Sequence, residues 1–141
     1  MRSHREQARD IPIVEKADVV VCGAGPAGVA AAIAAARQGA KTRVIELHGC
    51  LGGVWTAGAL SWIIDSTNKP GIMAEITARL EERRARQLRH DGGQNYAYDV
   101  EEMKVLLDEL CLEVGIDIRL LTRVVAAGRD SQNRLSVVIT E

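Results

Sequence analysis

Hydrophobic and polar positions along this chain change rhythm several times, and each rhythm predicts an element. Asp18–Cys22 is a short, almost wholly apolar run, the pattern of a buried strand, and reads as the first, central strand of a sheet. Pro26–Gln38 follows as an alanine-rich helix, with proline at its start and Gly39 in position for a left-handed cap. Thr42–Glu46 is a second strand, so residues 18–46 form a βαβ unit whose crossover should be right-handed. Ile11–Val14, ahead of it, reads as a short edge segment or lead-in. His48–Asn68 has no helical period, and a stretch this long is expected to be functional or to hold short elements of its own. From Pro70 a helix is predicted with Ile72, Met73, Ile76 and Leu80 on one face. Its continuation bears Arg79, Arg83, Arg84, Arg86 and Arg89, which read as a solvated face paired with Glu75, Glu81 and Glu82, with an anion-binding surface as the less favoured alternative.

Asp91-Gly-Gly93 breaks that pattern. Asp99 and Glu102 then have the spacing of a capping box, with Asp99 as cap and Glu102 reaching back. Val100, Met103, Leu106, Leu107, Leu110 and Val114 recur at helical spacing, a stripe that predicts core rather than a site. Gly115 ends this helix, and Ile116–Leu120 alternates as a third parallel strand. Val124–Ala127 and Leu135–Thr140 flank the polar turn Arg129–Arg134 as a β-hairpin.

Composition narrows the function without naming it. At 141 residues, 47% hydrophobic and 26% charged, the chain has the size and make-up of one globular domain. A net charge of −1 removes the electrostatic case for nucleic acid or an anionic membrane surface. Cys22, Cys50 and Cys111 are odd in number and lack metal-ligand spacing, so a reduced, cytoplasmic protein without a metal site is expected. Val19–Ala36 is uncharged and long enough to resemble a membrane span, but it is rich in alanine and glycine and interrupted by Pro26. A buried strand followed by a buried helix accounts for it better. Met1–Asp10 is polar and mixed in charge, without the apolar segment of a signal peptide; it reads as a leader to a domain spanning 11–141.

The chemistry sits where the first strand meets the first helix. Gly23 lets the chain turn off the strand, Gly25 lets a pyrophosphate approach the backbone, and Gly28 lets the helix lie close to the sheet. The helix dipole adds partial positive charge at that end. Glu46 closes the next strand 23 positions after Gly23, near the ~20 expected of a carboxylate that binds ribose hydroxyls. These features together define an α/β fold: a Rossmann-like βαβ parallel sheet with additional helices and a C-terminal β-hairpin.

Three segments taken together carry a more specific resemblance: Asp18-Val-Val-Val, Gly23-Ala-Gly-Pro-Ala-Gly28 and Glu46-Leu-His-Gly-Cys-Leu-Gly-Gly53. The chain resembles the N-terminal FAD-binding part of bacterial FAD-dependent oxidoreductases, within the glutathione-reductase-like, two-dinucleotide-binding-domain superfamily. Tyr98-Asp-Val-Glu-Glu-Met-Lys through Gly115 and Thr122-Arg-Val-Val125 add a weaker match. The resemblance implies that Gly23, Gly25, Pro26, Ala27 and Gly28 hold the FAD pyrophosphate and that Glu46 binds the adenosine ribose. It further implies that Gly52 and Gly53 pass near the pyrophosphate and ribityl chain, and that backbone around Val124 meets adenine.

The chain also departs from the superfamily. Disulfide reductases of this group carry a redox cysteine two positions after Gly-Gly, where this chain has Trp55, so a flavin–disulfide mechanism is not expected. Trp55 is open to two readings, beside the isoalloxazine or packed in the core. His48 and Cys50 are conceivable flavin attachment points, with exposed loop residues as the plain alternative. No catalytic acid or base emerges. The resemblance covers only the first portion of a full family member, so an incomplete domain is expected, with exposed sheet edges that invite self-association. The function expected is the FAD-binding segment of an oxidoreductase acting on an unknown small-molecule substrate. A NAD-binding dehydrogenase module and a non-catalytic remnant are the alternatives; Gly-Pro-Ala-Gly with Leu-Gly-Gly favours FAD, and Glu46 disfavours a 2′-phosphate.

Overall fold

The βαβ unit forms where the pattern predicts it, as β1 (Val19–Cys22), α1 (Pro26–Arg37) and β2 (Thr42–Ile45), with the two strands parallel and Val21 opposite Val44. The structure, a computed structural model, describes residues 2–4, 7–66, 68–87 and 96–141. Pro26 suits the first position of α1 because its fixed φ is already helical and it has no N–H to leave unpaired. At the other end Gly39 takes φ +87°, and the amides of Gly39 and Ala40 turn back to the carbonyls of Ala36 and Ala35. That is a glycine cap closing the last turn. The uncharged run 19–36 is therefore a strand and a helix, and no helix among the described residues is long and apolar enough to cross a membrane.

After β2 come a 3₁₀ turn at Gly53–Trp55, β3 (Trp62–Ile63), α2 (Ile72–Glu82), β4 (Arg86–Gln87) and β5 (Tyr96–Tyr98). Then follow α3 (Val100–Glu113), β6 (Asp117–Arg119) and the hairpin β7 (Val124–Arg129) and β8 (Leu135–Thr140). The parallel sheet has the order β1-β2-β6, and the hairpin forms its own two-stranded sheet. Val21, Val44 and Ile118 stand in one row across the parallel strands and pack with Val29 and Ile33 of α1 and Leu106, Leu107 and Leu110 of α3. Each of those α3 leucines is fully buried and stabilises the fold by about 1.5–3 kcal/mol relative to exposure. Cys111 joins the same core, where burial pushes its thiol up to about 11, so it stays protonated at neutral pH.

The structure corrects several expectations. Among the described residues β1 is an edge strand, not the central one, because β6 pairs with β2 on the side away from β1. Of the two readings of Ile11–Val14, the edge strand does not form; the segment is an exposed lead-in to β1, Val14 at 80%. Helix α2 starts two residues after Pro70, with Gly71 at its N-cap, and it ends at Glu82. Arg83, Arg84 and Arg86 therefore lie beyond it, with Arg84 in the left-handed region at φ +56°. Their partners are also more distant than α2 alone would provide: Arg83 pairs with Glu102 and Glu109 of α3, and Arg79 with both Glu75 and Glu113. Arg86 does pair with Glu81 and also lies over the Tyr96 ring. Arg89 and the Asp91-Gly-Gly93 break lie outside the described residues. A three-stranded antiparallel sheet, β3-β5-β4, was not anticipated; its strands are only two or three residues long, too short for a legible period.

Half of the predicted capping box is present. The Asp99 carboxylate accepts from the amides of Glu101 and Glu102, while its own amide donates to the Ala85 carbonyl. Glu102 does not reach back, because Arg83 draws its carboxylate away. Asp99→Ala should therefore cost about 1 kcal/mol in urea denaturation. Glu102→Ala, which removes only a partly exposed ion pair, should stay within about 0.5 kcal/mol of the parent. Equal losses in the two variants would restore the reciprocal box.

Candidate functional site

The loop from β1 to α1 is shaped by its glycines for three separate reasons. Gly23 takes φ +99°, a conformation side chains resist, and its amide donates to the Ile45 carbonyl at 2.8 Å, which ties the turn to the end of β2. Gly28 is held by packing: a Cβ there would lie 2.0 Å from the Gly23 carbonyl oxygen. Gly25 is held by neither. It has an ordinary extended backbone at the N-cap of α1, and a Cβ on it would meet nothing within 4 Å. Open space therefore adjoins the start of α1, which no side chain caps, and Pro26 and Ala27 complete its first turn. Uncapped amides and a helix dipole directed into open space form a cradle for an anion.

Glu46 stands beside this cradle. It is only 5% exposed, and its two carboxylate oxygens are divided between two backbone segments. One accepts from the Ala24 amide at 2.6 Å and the other from the His48 amide at 2.8 Å. Each oxygen keeps a lone pair for a further donor, so the carboxylate can still take two hydroxyl groups. A cavity of about 350 Å³ adjoins it, lined by Gly23, Ile45, Glu46, Thr122, Arg123 and Val124 among others. Residues from the β1 turn, the β2 end and the start of the hairpin thus share one space. A second cavity, about 310 Å³ and lined by Thr77, Glu81, Arg86 and Tyr96 among others, contains none of the anticipated residues.

The Gly-Gly segment closes the other side. Gly52, at φ +104°, donates its amide to the Ala24 carbonyl at 2.7 Å, and a Cβ on Gly53 would come within 2.9 Å of the Gly25 Cα. The two glycine motifs are in backbone contact. Trp55, which follows, is buried and packs with the core. His48 is exposed and contributes through its backbone, and the half-buried Cys50 thiol lies 3.7 Å from the Thr56 hydroxyl.

The structure therefore brings together Gly23, Gly25, Pro26, Ala27, Gly28, Glu46, Gly52 and Gly53, with Val124 at the far wall of the cavity. Sequence reasoning missed three contributors. Ala24 is completely buried and gives its amide to Glu46 and its carbonyl to Gly52, yet no side-chain signal marks it. The Thr56 hydroxyl donates to the Leu51 carbonyl inside the second loop. The buried Tyr98 hydroxyl contacts the carbonyls of Trp55 and Leu60 at 2.9 and 2.8 Å. Burial raises the Tyr98 phenol well above its ordinary range, so it is a protonated donor at neutral pH.

The glycine roles separate by stability. Gly28→Ala should cost about 1–3 kcal/mol in urea denaturation, since loop or helix backbone must move. Gly25→Ala should be neutral or stabilising by up to about 1 kcal/mol, because its φ suits any residue and its surroundings are empty. A tolerated Gly28→Ala would mean that the helix is not held against the loop.

Comparison with known proteins adds a family to this geometry. A profile described as FAD dependent oxidoreductase matches residues 18–141. A curated relative, dihydrolipoyl dehydrogenase of Trypanosoma brucei brucei, is 53% identical over 45 residues, covering 32% of this chain and 9% of that protein. Among solved structures, L-proline dehydrogenase from P. horikoshii superposes with a TM-score of 0.64 at 15% identity, covering 91% of this chain and 50% of that one. An oxidized steroid monooxygenase superposes with a TM-score of 0.58 at 27% identity, covering 88% of this chain and 23% of that one. The chain thus spans half or less of the length of each of these proteins.

Proposed function

The chain belongs to the FAD dependent oxidoreductase family, whose cofactor is FAD, and from that premise we propose that the space between its two glycine motifs and the hairpin is the adenosine–pyrophosphate half of an FAD site. The observation that carries the reading is the junction itself: an uncapped helix start, empty space at Gly25, and a buried carboxylate with lone pairs to spare.

Each residue then has a task set by its chemistry. The first turn of α1, through Gly25, Pro26, Ala27 and Gly28, receives the pyrophosphate, with Gly23 setting the angle of approach. Glu46 accepts hydrogen bonds from the ribose hydroxyls, which are donors suited to its remaining lone pairs. Backbone at Val124 borders the adenine, and Gly52 and Gly53 admit the pyrophosphate and ribityl chain past a wall without side chains. A Cβ on Gly53 would narrow that passage, whereas one on Gly52 would press on Thr56 and Leu107. When bound, FAD supplies two-electron chemistry, passing hydride equivalents between a substrate and an acceptor. The protein's part is to bind, orient and shield the cofactor.

We read the whole protein's activity as flavin-dependent oxidation or reduction of a small molecule in the cytoplasm. The free thiols and near-neutral charge support that setting. The departure at Trp55 argues against a flavin–disulfide relay, since no cysteine stands two positions after Gly-Gly and Cys111 is sealed in the core.

Flavin titration tests the reading directly. The parent chain should quench FAD fluorescence saturably, and Gly25→Val should abolish this with little change in far-UV circular dichroism, because the valine fills only empty space. Glu46→Gln should weaken binding by about 1.5–3 kcal/mol, the worth of hydrogen bonds to a charged group. Parent-like affinity in Gly25→Val would remove the pyrophosphate from this loop.

The outer edge of β1 supports self-association as well. Among the described residues no strand pairs there, Val20 is 38% exposed and Cys22 is exposed. An open edge recruits other edges. Size-exclusion chromatography should give an apparent mass that rises with concentration above 15.3 kDa. A monodisperse monomer at every concentration would count against an active edge.

A further inference from the structure

We propose that Tyr98 is a positioning residue for the cofactor: it sets the phosphate-side wall of the site by fixing the loop that carries Gly52 and Gly53. The inference rests on the FAD reading above and adds to it a residue with no group in the cavity.

The loop is anchored where it begins: Leu51 and Trp55 are buried in the core, and the Gly52 amide bonds the Ala24 carbonyl. It leaves the site at Gly53, makes a 3₁₀ turn through Trp55, and returns through Leu60 to β3. Within it the amides of Gly58 and Leu60 bond the carbonyls of Gly53 and Val54, so the turn is internally closed. Such a closed turn can still move as a unit. Besides the buried Trp55 side chain, what ties it to the body is Tyr98, at the last position of β5 immediately before the α3 cap, completely buried. Its one hydroxyl proton is shared between the carbonyls of Trp55 and Leu60, and its amide donates to the Ser61 carbonyl at 3.3 Å. One side chain thus grips both arms of the turn, and it belongs to the strand that leads into the most buried helix.

Any movement of that turn reaches the cradle through Gly53. A Cβ on Gly53 would lie 2.9 Å from the Gly25 Cα, so the Gly53 backbone faces Gly25 across a gap with no room for a side chain, and a shift of the loop either narrows the space at Gly25 or opens the wall. Thr56 acts on the same segment from inside. Its hydroxyl donates to the Leu51 carbonyl, and a Cβ on Gly52 would lie 2.6 Å from the Thr56 methyl. Tyr96 provides the internal comparison: it is nearly as buried, but its hydroxyl donates to Thr77 on α2, away from the loop.

The test compares FAD with adenosine, which lacks the pyrophosphate, on the full chain. Tyr98→Phe should weaken FAD about 5- to 10-fold, the loss of one shared buried hydrogen bond, and leave adenosine within about two-fold. Tyr96→Phe should leave both unchanged at a similar cost in thermal stability. Equal weakening of FAD and adenosine would make Tyr98 a residue of the fold alone and overturn the proposal. Parent-like FAD affinity in Tyr98→Phe would also overturn it, while leaving the FAD site standing. A parent that binds no FAD would overturn the site and the proposal together. If Tyr98→Phe does not fold, Thr56→Val, nearly the same shape without the hydroxyl, decides by the same ratio: selective loss of FAD supports the fixed loop, and parallel loss rejects it.

Discussion

Ala24 is the residue through which the rest of the site is joined. Its amide donates to the Glu46 carboxylate and its carbonyl accepts from the Gly52 amide, at 2.6 and 2.7 Å. Three segments far apart in the chain, the β1 turn, the β2 end and the Gly-Gly loop, meet on one completely buried residue. Buried backbone groups must be paired, and here the pairing does two jobs, because each bond that satisfies Ala24 also locates a wall of the cavity. The alanine side chain is incidental to this. It is small enough to permit the close approach.

Around that junction the energetics divide cleanly. Apolar burial of α1 and α3 on the row Val21–Val44–Ile118 supplies the cohesion, at a few kcal/mol for each large side chain. The ion pairs linking Arg79 and Arg83 to glutamates of α3 are partly exposed and are worth about 0–1 kcal/mol each. Their contribution is orientation: they link α2 and the residue just after it to α3, while the short antiparallel sheet meets α2 through the Tyr96 hydroxyl, which donates to the Thr77 carbonyl. That sheet, β3-β5-β4, carries Tyr98 to the Gly-Gly loop. Support for the site therefore reaches it from a direction that the βαβ unit alone does not provide.

The two faces of the parallel sheet have different roles. The row Val21–Val44–Ile118 belongs to the core, whereas Val20, Arg43 and Asp117 form the next row on the opposite face, with Arg43 paired to Asp117. Beyond them Ile45 is buried at the C-terminal end of β2, where the hairpin begins and the cavity opens. In open α/β sheets, ligand crevices lie at the carboxyl ends of the strands, where helix starts and loop amides gather. The present cavity follows that rule, since its walls come from the last residues of β1 and β2, the residues just after them, and the segment that leads from β6 into β7.

Much of this was legible in the sequence, because it depends on near neighbours. A run of apolar residues makes β1, alanines and a proline make α1, a leucine stripe makes the buried face of α3, and Gly23, Gly39 and Gly115 sit where the backbone turns to positive φ. The spacing of Glu46 from Gly23–Gly28 was visible too, while the link to Gly52–Gly53 came with the resemblance to FAD-dependent oxidoreductases. Tertiary structure alone decided the rest. Strand order put β2 rather than β1 at the centre, because edge and centre depend on which distant strand β6 chooses as its neighbour. Arg83, free to choose among carboxylates, took Glu102 from the capping box. Ala24, Thr56 and Tyr98 acquired their roles through contacts with residues 22, 5 and 43 positions away, made through backbone groups that every residue possesses. Periodicity and residue type record what a segment prefers locally; they carry no record of which backbone amide or carbonyl a buried polar atom will find once the segments are packed together.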